Sequence, residues 1–139
     1  MRPILTTVSV IFFALTGIAQ ADVISDRKAG FKGNVAAMKK IQAAIGRGDL
    51  AAVREGALEI ADWSSRMIDY FPEGSDTGDT KARAEIWFNF DDFTSRAGNA
   101  ENAALALASL AEAGHQDQLM DGLKNLGGTC KACHSSYKD

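Results

Sequence analysis

The apolar residues of the chain recur at helical spacing in four long segments. In the first, about Ile24 to Ile45, and the second, about Leu50 to Tyr70, apolar side chains follow one another at steps of three, four or seven. The third segment, about Ala82 to Ala113, and the fourth, about Asp117 to Tyr137, alternate steps of four and three. This spacing predicts four amphipathic helices, because it places the apolar side chains on one face of each helix.

Turn-forming residues separate these segments. "GRGD" at 46–49 interrupts the pattern, and Asp49 has the short acceptor side chain that suits the N-cap of the second helix. The longest connection is "FPEGSDTGDT" at 71–80, and Gly114 suits the C′ position after the third helix. No segment alternates as a strand does. The predicted fold class is therefore all-α: an antiparallel four-helix bundle with left-handed, coiled-coil-like packing.

The predicted buried faces can be given residue by residue. The stripe of the first helix is Ile24, Phe31, Val35, Met38, Ile41 and Ile45. The stripe of the third helix is Ile86, Phe90, Phe93, Ala97, Ala100, Ala104, Leu107 and Ala111. The stripe of the fourth helix is Leu119, Leu123, Leu126, Cys130, Cys133 and Tyr137. Both cysteines of the chain thus fall on a predicted core face, so their sulfurs should point into the bundle.

The first 21 residues, "MRPILTTVSVIFFALTGIAQA", have the three parts of a secretory signal peptide. They contain Arg2, an apolar run at 8–15 and the small-x-small sequence AQA at 19–21. A membrane anchor is the rival interpretation, but the run is short and is broken by Thr, Ser and Gly. We predict cleavage after Ala21, a single domain over residues 22–139 and export to a bacterial periplasm.

Charge and hydropathy narrow the choice of partners. The whole chain has a formal net charge of −3, and loss of the signal peptide, which carries one arginine and no acid, makes it −4. No dense basic patch is visible along the sequence, so we predict no nucleic-acid partner. The mature chain has no second long apolar run, so we predict no membrane span after processing.

The candidate chemistry lies in the last thirteen residues, "GGTCKACHSSYKD". They hold both cysteines, Cys130 and Cys133, and His134 follows directly. His134 lies four residues after Cys130, about 40° round the helix, so the three side chains should reach one space inside the bundle. Two nearby thiols in an oxidising compartment normally form a disulfide. The pair is therefore either redox-active or bonded to something else.

Three occupants of this motif can be compared. A disulfide oxidoreductase places Cys-x-x-Cys at a helix N-terminus beside a βαβ pattern, whereas this motif lies near the end of the last helix of an all-helical chain. Structural zinc needs four ligands; Cys130, Cys133 and His134 leave one missing, and His115 falls near a turn. Haem fits best, because in Cys-x-x-Cys-His the thiols bond the haem vinyl groups and the histidine binds the iron.

Three stretches of the chain resemble the cytochrome c′ family, the class II c-type cytochromes. They are "DRKAGFKGNVAAMKKI" at 26–41, "TKARAEIWFNFDDFTSRA" at 80–97 and "GGTCKACHSSYK" at 127–138. The resemblance covers essentially all of the mature chain. It departs from the family at Ala84, where a proline is usual, which affects the start of the third helix.

The resemblance implies a cofactor and a set of site residues. It implies one haem c, attached near the C-terminus through Cys130 and Cys133, with His134 as the proximal iron ligand. It also implies that Arg27 on the first helix reaches a haem propionate, and that Lys138 flanks the proximal face. Dimerisation through the first two helices is a further implication of the family.

The most informative departure is at position 31. Low-spin relatives carry methionine there, in an Arg-x-x-x-Met-Lys run, and bind iron through both histidine and methionine. Here the run is "RKAGFK", so Phe31 takes the methionine's place and offers iron no lone pair. We expect an open sixth position walled by this ring. Four other side chains are expected not to bind there, because of their distance, their role as core filler or their place in a turn: Met38, Met67, Met120 and His115.

These features predict a five-coordinate, high-spin haem protein, not an enzyme. No polar donor is evident on the distal face, so the small neutral diatomics NO and CO should bind best, for NO scavenging or tolerance in the periplasm. The alternative is an electron-transfer cytochrome with a redox partner protein. A peroxidase is disfavoured because no distal His/Arg pair is visible, and a haem-free thiol oxidoreductase is the remaining class.

Overall fold

The four predicted segments are helices in the computed structural model of the protein, which describes residues 16–139. Its helices are α1, Thr16–Arg47; α2, Leu50–Arg66; α3, Glu85–Phe88; α4, Phe90–Glu112; and α5, Leu119–Tyr137. Short 3₁₀ turns, Met67–Tyr70 and Gln116–Gln118, follow α2 and precede α5. Helices α1, α2, α4 and α5 form the bundle, and α3 is a single turn at the entrance to α4, which confirms the predicted all-α class.

The predicted signal peptide falls mostly on residues outside this description. Residues 1–15 lie outside the described part of the chain, and residues 16–21 form the start of α1. The predicted domain boundary at Ala21 therefore stays a prediction. Within residues 16–139, no helix is both long enough and apolar enough to cross a membrane.

Two predicted helix caps are confirmed in detail. The Asp49 side chain accepts a hydrogen bond of 3.0 Å from the amide of Ala52, which satisfies one of the free donors at the start of α2. After α4, Gly114 has φ +78°, a conformation that glycine adopts without steric cost. The next amide, of His115, then donates to the carbonyl of Leu110, which closes the end of the helix.

The third predicted helix begins later than expected. The apolar spacing predicts helix from about Ala82, but residues 80–83 are irregular and Ala82 forms an isolated bridge with Lys138 at the C-terminus. The Ala82 amide also donates to the hydroxyl of Thr80. Backbone groups bonded in this way cannot join a helical ladder. A second break follows at Asn89, whose backbone is not helical (φ −129°, ψ 45°), so α3 and α4 are separate.

The bundle helices pack as neighbours in the order α1, α2, α4 and α5, whereas α1 and α5 touch over only a short stretch. One buried cluster is aliphatic and includes Ile41, Ile60 and Leu107, each 1% exposed or less. A second cluster is aromatic and packs against Cys133, so it lies beside the candidate site. A Cβ on Gly30 of α1 would overlap the indole of Trp63, so this close approach of α1 and α2 requires glycine.

Two residues predicted to face the core are exposed instead. Val35 is 57% exposed because its part of α1 borders a cavity rather than a neighbouring helix. Phe90 is 36% exposed, since the break at Asn89 puts it out of phase with the rest of its stripe. Cys130 and Cys133 are half-buried rather than fully buried. The last part of the predicted core is therefore the wall of a cavity.

Candidate functional site

A cavity of about 730 Å³ lies between α1 and α5, beside the aromatic cluster. Residues of α2, α4 and the loop between α2 and α3 complete its wall. Its apolar lining includes Phe31, Val35, Met38, Met67, Phe71, Ile86 and Phe93. A concave, mostly apolar space of roughly 300–1,000 Å³ is the usual form of a small-molecule or cofactor site.

All three side chains of the Cys-x-x-Cys-His motif line this cavity. Cys130 and Cys133 are both free. Burial raises the pKa of Cys130, and burial raises the pKa of Cys133 to about 11 even though Arg96 opposes the shift. Both sulfurs are therefore protonated at neutral pH. The low-pKa thiolate that a disulfide oxidoreductase needs is not formed at either position.

The zinc interpretation also fails on the geometry. In the part of the chain that the structure describes, no group of three or more His, Cys, Asp or Glu side chains is placed to hold a metal ion. The two thiols and the imidazole instead border a space much larger than one ion. This is the arrangement needed to attach a large planar group at its edge and to offer an axial nitrogen to its centre.

His134 from α5 and Phe31 from α1 meet across the cavity, with ring centroids 6.2 Å apart and an interplanar angle of 71°. Aromatic rings favour such edge-to-face contacts at centroid distances of about 4.5–7 Å. A planar group bound between α1 and α5 would separate the two rings and lie between them. Partial burial of the ring, and then the charge of Lys138, lower the pKa of His134. Neutral imidazole is the form that binds a metal. The residues present therefore fit a haem.

Phe31 is held in place by two further rings. Its centroid lies 5.6 Å from that of Trp63 and 6.4 Å from that of Phe71, both in edge-to-face geometry. Phe71 in turn contacts Phe93 at 4.8 Å. Because Phe31 packs against both of these rings, its own ring is held in position as part of the cavity wall.

Arg27 is 2% exposed, which is unusual for an arginine. Its guanidinium donates four hydrogen bonds of 2.6–3.3 Å: to the carbonyl of Tyr70, to the hydroxyl and carbonyl of Ser75, and to the hydroxyl of Thr80. It also lies 4.6 Å from the ring of Phe71. Arg27 lines the cavity, but only its Nε–H remains for a further partner such as a propionate. The bonds it makes fix the loop between α2 and α3 to α1.

Replacing Arg27 with alanine is expected to destabilise the folded protein by about 2–4 kcal/mol, because it leaves buried acceptors of the loop without a donor. Thermal unfolding of the haem-loaded protein should show Tm lower by roughly 10 °C. Lys28→Ala is the matched control, since Lys28 is exposed and, among residues 16–139, its side chain pairs with Asp79 alone. Similar small losses in the two variants would contradict this role for Arg27.

A hydrogen-bond network that was not predicted from the sequence connects α4 to α5, the helix that carries the Cys-x-x-Cys-His motif. Arg96 donates through Nε to Asp92 at 2.7 Å and through Nη1 to the carbonyl of Ala132 at 2.7 Å. Asp92 also accepts a hydrogen bond from the Tyr137 hydroxyl. These contacts hold α5 against α4 at Ala132 and Tyr137, on either side of His134. The i, i+4 spacing of Asp92 and Arg96 was a usable signal for the pair, but not for its partners on α5.

Some of the remaining residues considered in the sequence analysis line the cavity, and others do not. Lys138 lines the cavity, and its amide donates to the carbonyl of His134, which ends α5. Met38 and Met67 also line the cavity. Met120 and His115 are not part of the lining described for it.

The lining is not wholly apolar, and it includes two polar side chains that were not predicted from the sequence. Asn34 and Ser64 both border the cavity, and Ser64 is 3% exposed. Ser64 comes four residues after Ile60 and three before Met67, on the buried stripe of α2. This helical spacing relative to Ile60 and Met67 is the feature of the sequence that could have identified Ser64 as a residue of the buried face.

The fold and the site together define a c-type cytochrome built on a four-helix bundle, since the last helix brings two thiols and an imidazole to one apolar cavity. The family model described as Cytochrome C' matches residues 22–138 of the chain. The chain belongs to the cytochrome c′ family. Its cofactor is accordingly haem c, covalently attached, which the Cys130-x-x-Cys133-His134 motif fits.

Individual relatives carry two names. The chain is 41% identical to cytochrome c' of Rhodospirillum rubrum over 83 residues, which are 59% of this chain and 56% of that relative. It is 38% identical to cytochrome c-556 of Agrobacterium fabrum over 103 residues, 69% of this chain and 67% of the relative. Among solved structures, cytochrome c prime from Shewanella frigidimarina aligns with a TM-score of 0.78 at 32% identity, covering 86% of this chain and 96% of that one.

Proposed function

We propose that the protein is a periplasmic haem protein with five-coordinate, high-spin iron, whose open sixth position binds NO and CO. The observation that carries this proposal is Phe31. Its ring meets His134 across the cavity at 6.2 Å, at the place where low-spin relatives carry methionine, and it has no atom that binds a metal. Bound haem supplies an iron that can bond a diatomic molecule and exchange one electron.

The other residues around the cavity also have roles in this proposal. Cys130 and Cys133 hold the macrocycle by thioether bonds, and His134 supplies the proximal nitrogen. Phe31 packs against Trp63 and Phe71, and in this proposal its ring restricts the open position to small ligands. A solved structure of a mutant cytochrome c prime from Alcaligenes xylosoxidans, 23% identical to this chain over 86% of it with a TM-score of 0.76, is a nitric oxide complex. At that identity the likeness concerns the fold, so for this chain the argument rests on Phe31.

The biological role follows from this chemistry. Cleavage after Ala21 would release residues 22–139 to the periplasm, where binding of NO by the protein would serve scavenging or tolerance. The dimer implied by the family would use α1 and α2. In this proposal the protein binds its ligands without converting them, so it is not an enzyme.

The test is an absorption and EPR spectrum of the purified mature protein, with and without CO and NO. We expect a high-spin ferric spectrum at rest, and a changed Soret band when either gas is added to the reduced protein. A low-spin resting spectrum would refute the open site. Met38→Leu and Met67→Leu would then show which of the two thioethers that line the cavity is the ligand.

Electron transfer is the second candidate function. It is favoured by the exposed lysines that surround the cavity. The two functions differ in one requirement, since electron exchange does not need an open sixth position. A protein that exchanges electrons rapidly but binds neither gas would be an electron-transfer cytochrome only.

A further inference from the structure

Lysines are concentrated at the mouth of the cavity. Five of the chain's eight lysines line it, whereas in the described part of the chain one of the eighteen acidic residues does, Asp79. All five are solvent-exposed, and we call them the lysine rim: Lys28, Lys32, Lys39, Lys81 and Lys138. The chain as a whole has a net charge of −3, so the rim is a positive region on an acidic protein.

Most of the rim is not neutralised by the protein itself. Lys28 pairs with Asp79, but Lys32, Lys39 and Lys81 form no ion pair with any residue of the described chain. Lys28, Lys32 and Lys39 lie at steps of four and seven on α1, so they share one face of that helix. Like charges kept together in this way raise the electrostatic energy of the monomer, and an anionic partner would offset that cost.

The haem does not neutralise the rim either. A haem carries two propionate carboxylates, and Asp79 is a third negative charge. Set against the five lysines, these leave an excess of two positive charges, and the buried guanidinium of Arg27 adds another. The positive charge at the mouth therefore exceeds what binding of the cofactor requires.

We infer that the lysine rim is the docking surface for a redox protein with an acidic face, and that electrons enter or leave the haem there. In the oxidising direction, ferrous iron gives one electron to the partner's centre and becomes ferric, and no bond is made or broken. Complementary charge around the mouth would orient the encounter and raise its rate, most strongly at low salt. The inference requires that the haem lies in this cavity, but not that its sixth position is open.

The experiment compares two one-electron oxidants of opposite charge acting on the reduced, haem-loaded protein. Hexacyanoferrate(III) stands in for an acidic partner, and tris(phenanthroline)cobalt(III) is the cationic control. We expect the rate with the anion to fall as ionic strength rises, and the rate with the cation to rise. The Lys32→Gln, Lys39→Gln double variant should lower the rate of oxidation by the anion about tenfold at low ionic strength. This is the order expected for a trivalent ion about 10 Å from two lost charges.

A matched double variant separates the rim from net charge. Lys40 and Lys124 are not among the residues that line the cavity. Lys40 pairs with Glu55, and Lys124 pairs with Asp121. Lys40→Gln with Lys124→Gln removes the same total charge and should change the rate with the anion less than twofold. Equal slowing by the two double variants, or rates independent of ionic strength, would overturn the inference.

Binding provides a readout that does not depend on electron transfer. Titration with the redox-inert anion hexacyanocobaltate(III) should shift backbone amide signals around the rim, and should do so less in the rim variant. Shifts centred on another face would overturn the inference. So would saturation of the rim by micromolar inorganic phosphate, which would identify a small-anion site instead. A protein that keeps the anion preference but binds neither CO nor NO would refute the proposed gas binding and leave the docking inference intact.

Discussion

Replacing both Cys130 and Cys133 with alanine is expected to abolish covalent haem attachment. The two half-buried thiols line the same cavity as His134, and no disulfide engages them. Each single variant should retain one thioether bond and yield markedly less haem-loaded protein, because one fixed edge still lets the macrocycle pivot. Mass spectrometry of the mature chain measures attachment directly. Extraction into acidified acetone should release all haem from the double variant and none from the wild type.

Lys131→Ala is the matched control for these variants, since it lies between the two cysteines and is exposed. It should keep both thioether bonds and a normal yield. His134→Ala completes the series, because it should leave the haem attached and change the spin state of the iron. A wild-type chain with the mass of the unmodified polypeptide would contradict the attachment. An unchanged spectrum in His134→Ala would show that another residue is the axial ligand.

The sequence predicted those parts of the fold that depend on local chemistry. Asp49 and Gly114 act as caps because their own backbone and side-chain preferences suffice, and both predictions are confirmed. The start of the third helix could not be predicted in this way. Ala82 is held out of the helix by a bridge to Lys138, more than fifty positions further along the chain, and periodicity carries no information about such a partner.

The same distinction applies to the site. Cys130, Cys133 and His134 reach one cavity because they share a face of one helix, which spacing alone determines. Arg27 and Arg96 bond to acceptors that are distant in sequence, so helical spacing could not predict these partners. For Arg27 the family resemblance implied only a contact with a haem propionate. The lysine rim is a further case. Its members are scattered from α1 to the C-terminus, so no basic cluster is visible until the fold brings them round one opening.

Phe31→Met is expected to convert the iron to a six-coordinate, low-spin state. The substitution restores "RKAGMK", the pattern of low-spin relatives, at similar side-chain volume, so the bundle should fold normally. It places a thioether where the phenyl ring now meets His134 across the cavity. CO binding should slow because a protein ligand must first leave, and the reduction potential should rise because a thioether favours ferrous iron. Absorption and EPR spectra, stopped-flow CO binding and a redox titration measure these changes.

Phe31→Ala should make the sixth position of the iron more accessible to ligands, whereas Phe31→Met should make it less accessible. Removal of the ring opens the wall that Trp63 and Phe71 brace, so CO and NO should bind faster while the iron stays high-spin. The loss of stability should be at most about 3 kcal/mol, below the range for a fully buried phenylalanine, because Phe31 is half-buried and already borders a cavity. Met38→Leu is the control, since it alters another residue of the lining on α1 without changing the side chain opposite His134. If the wild type is already low-spin, or if neither substitution at Phe31 alters CO binding, then Phe31 only packs against its neighbours and the proposed gas-binding site is wrong.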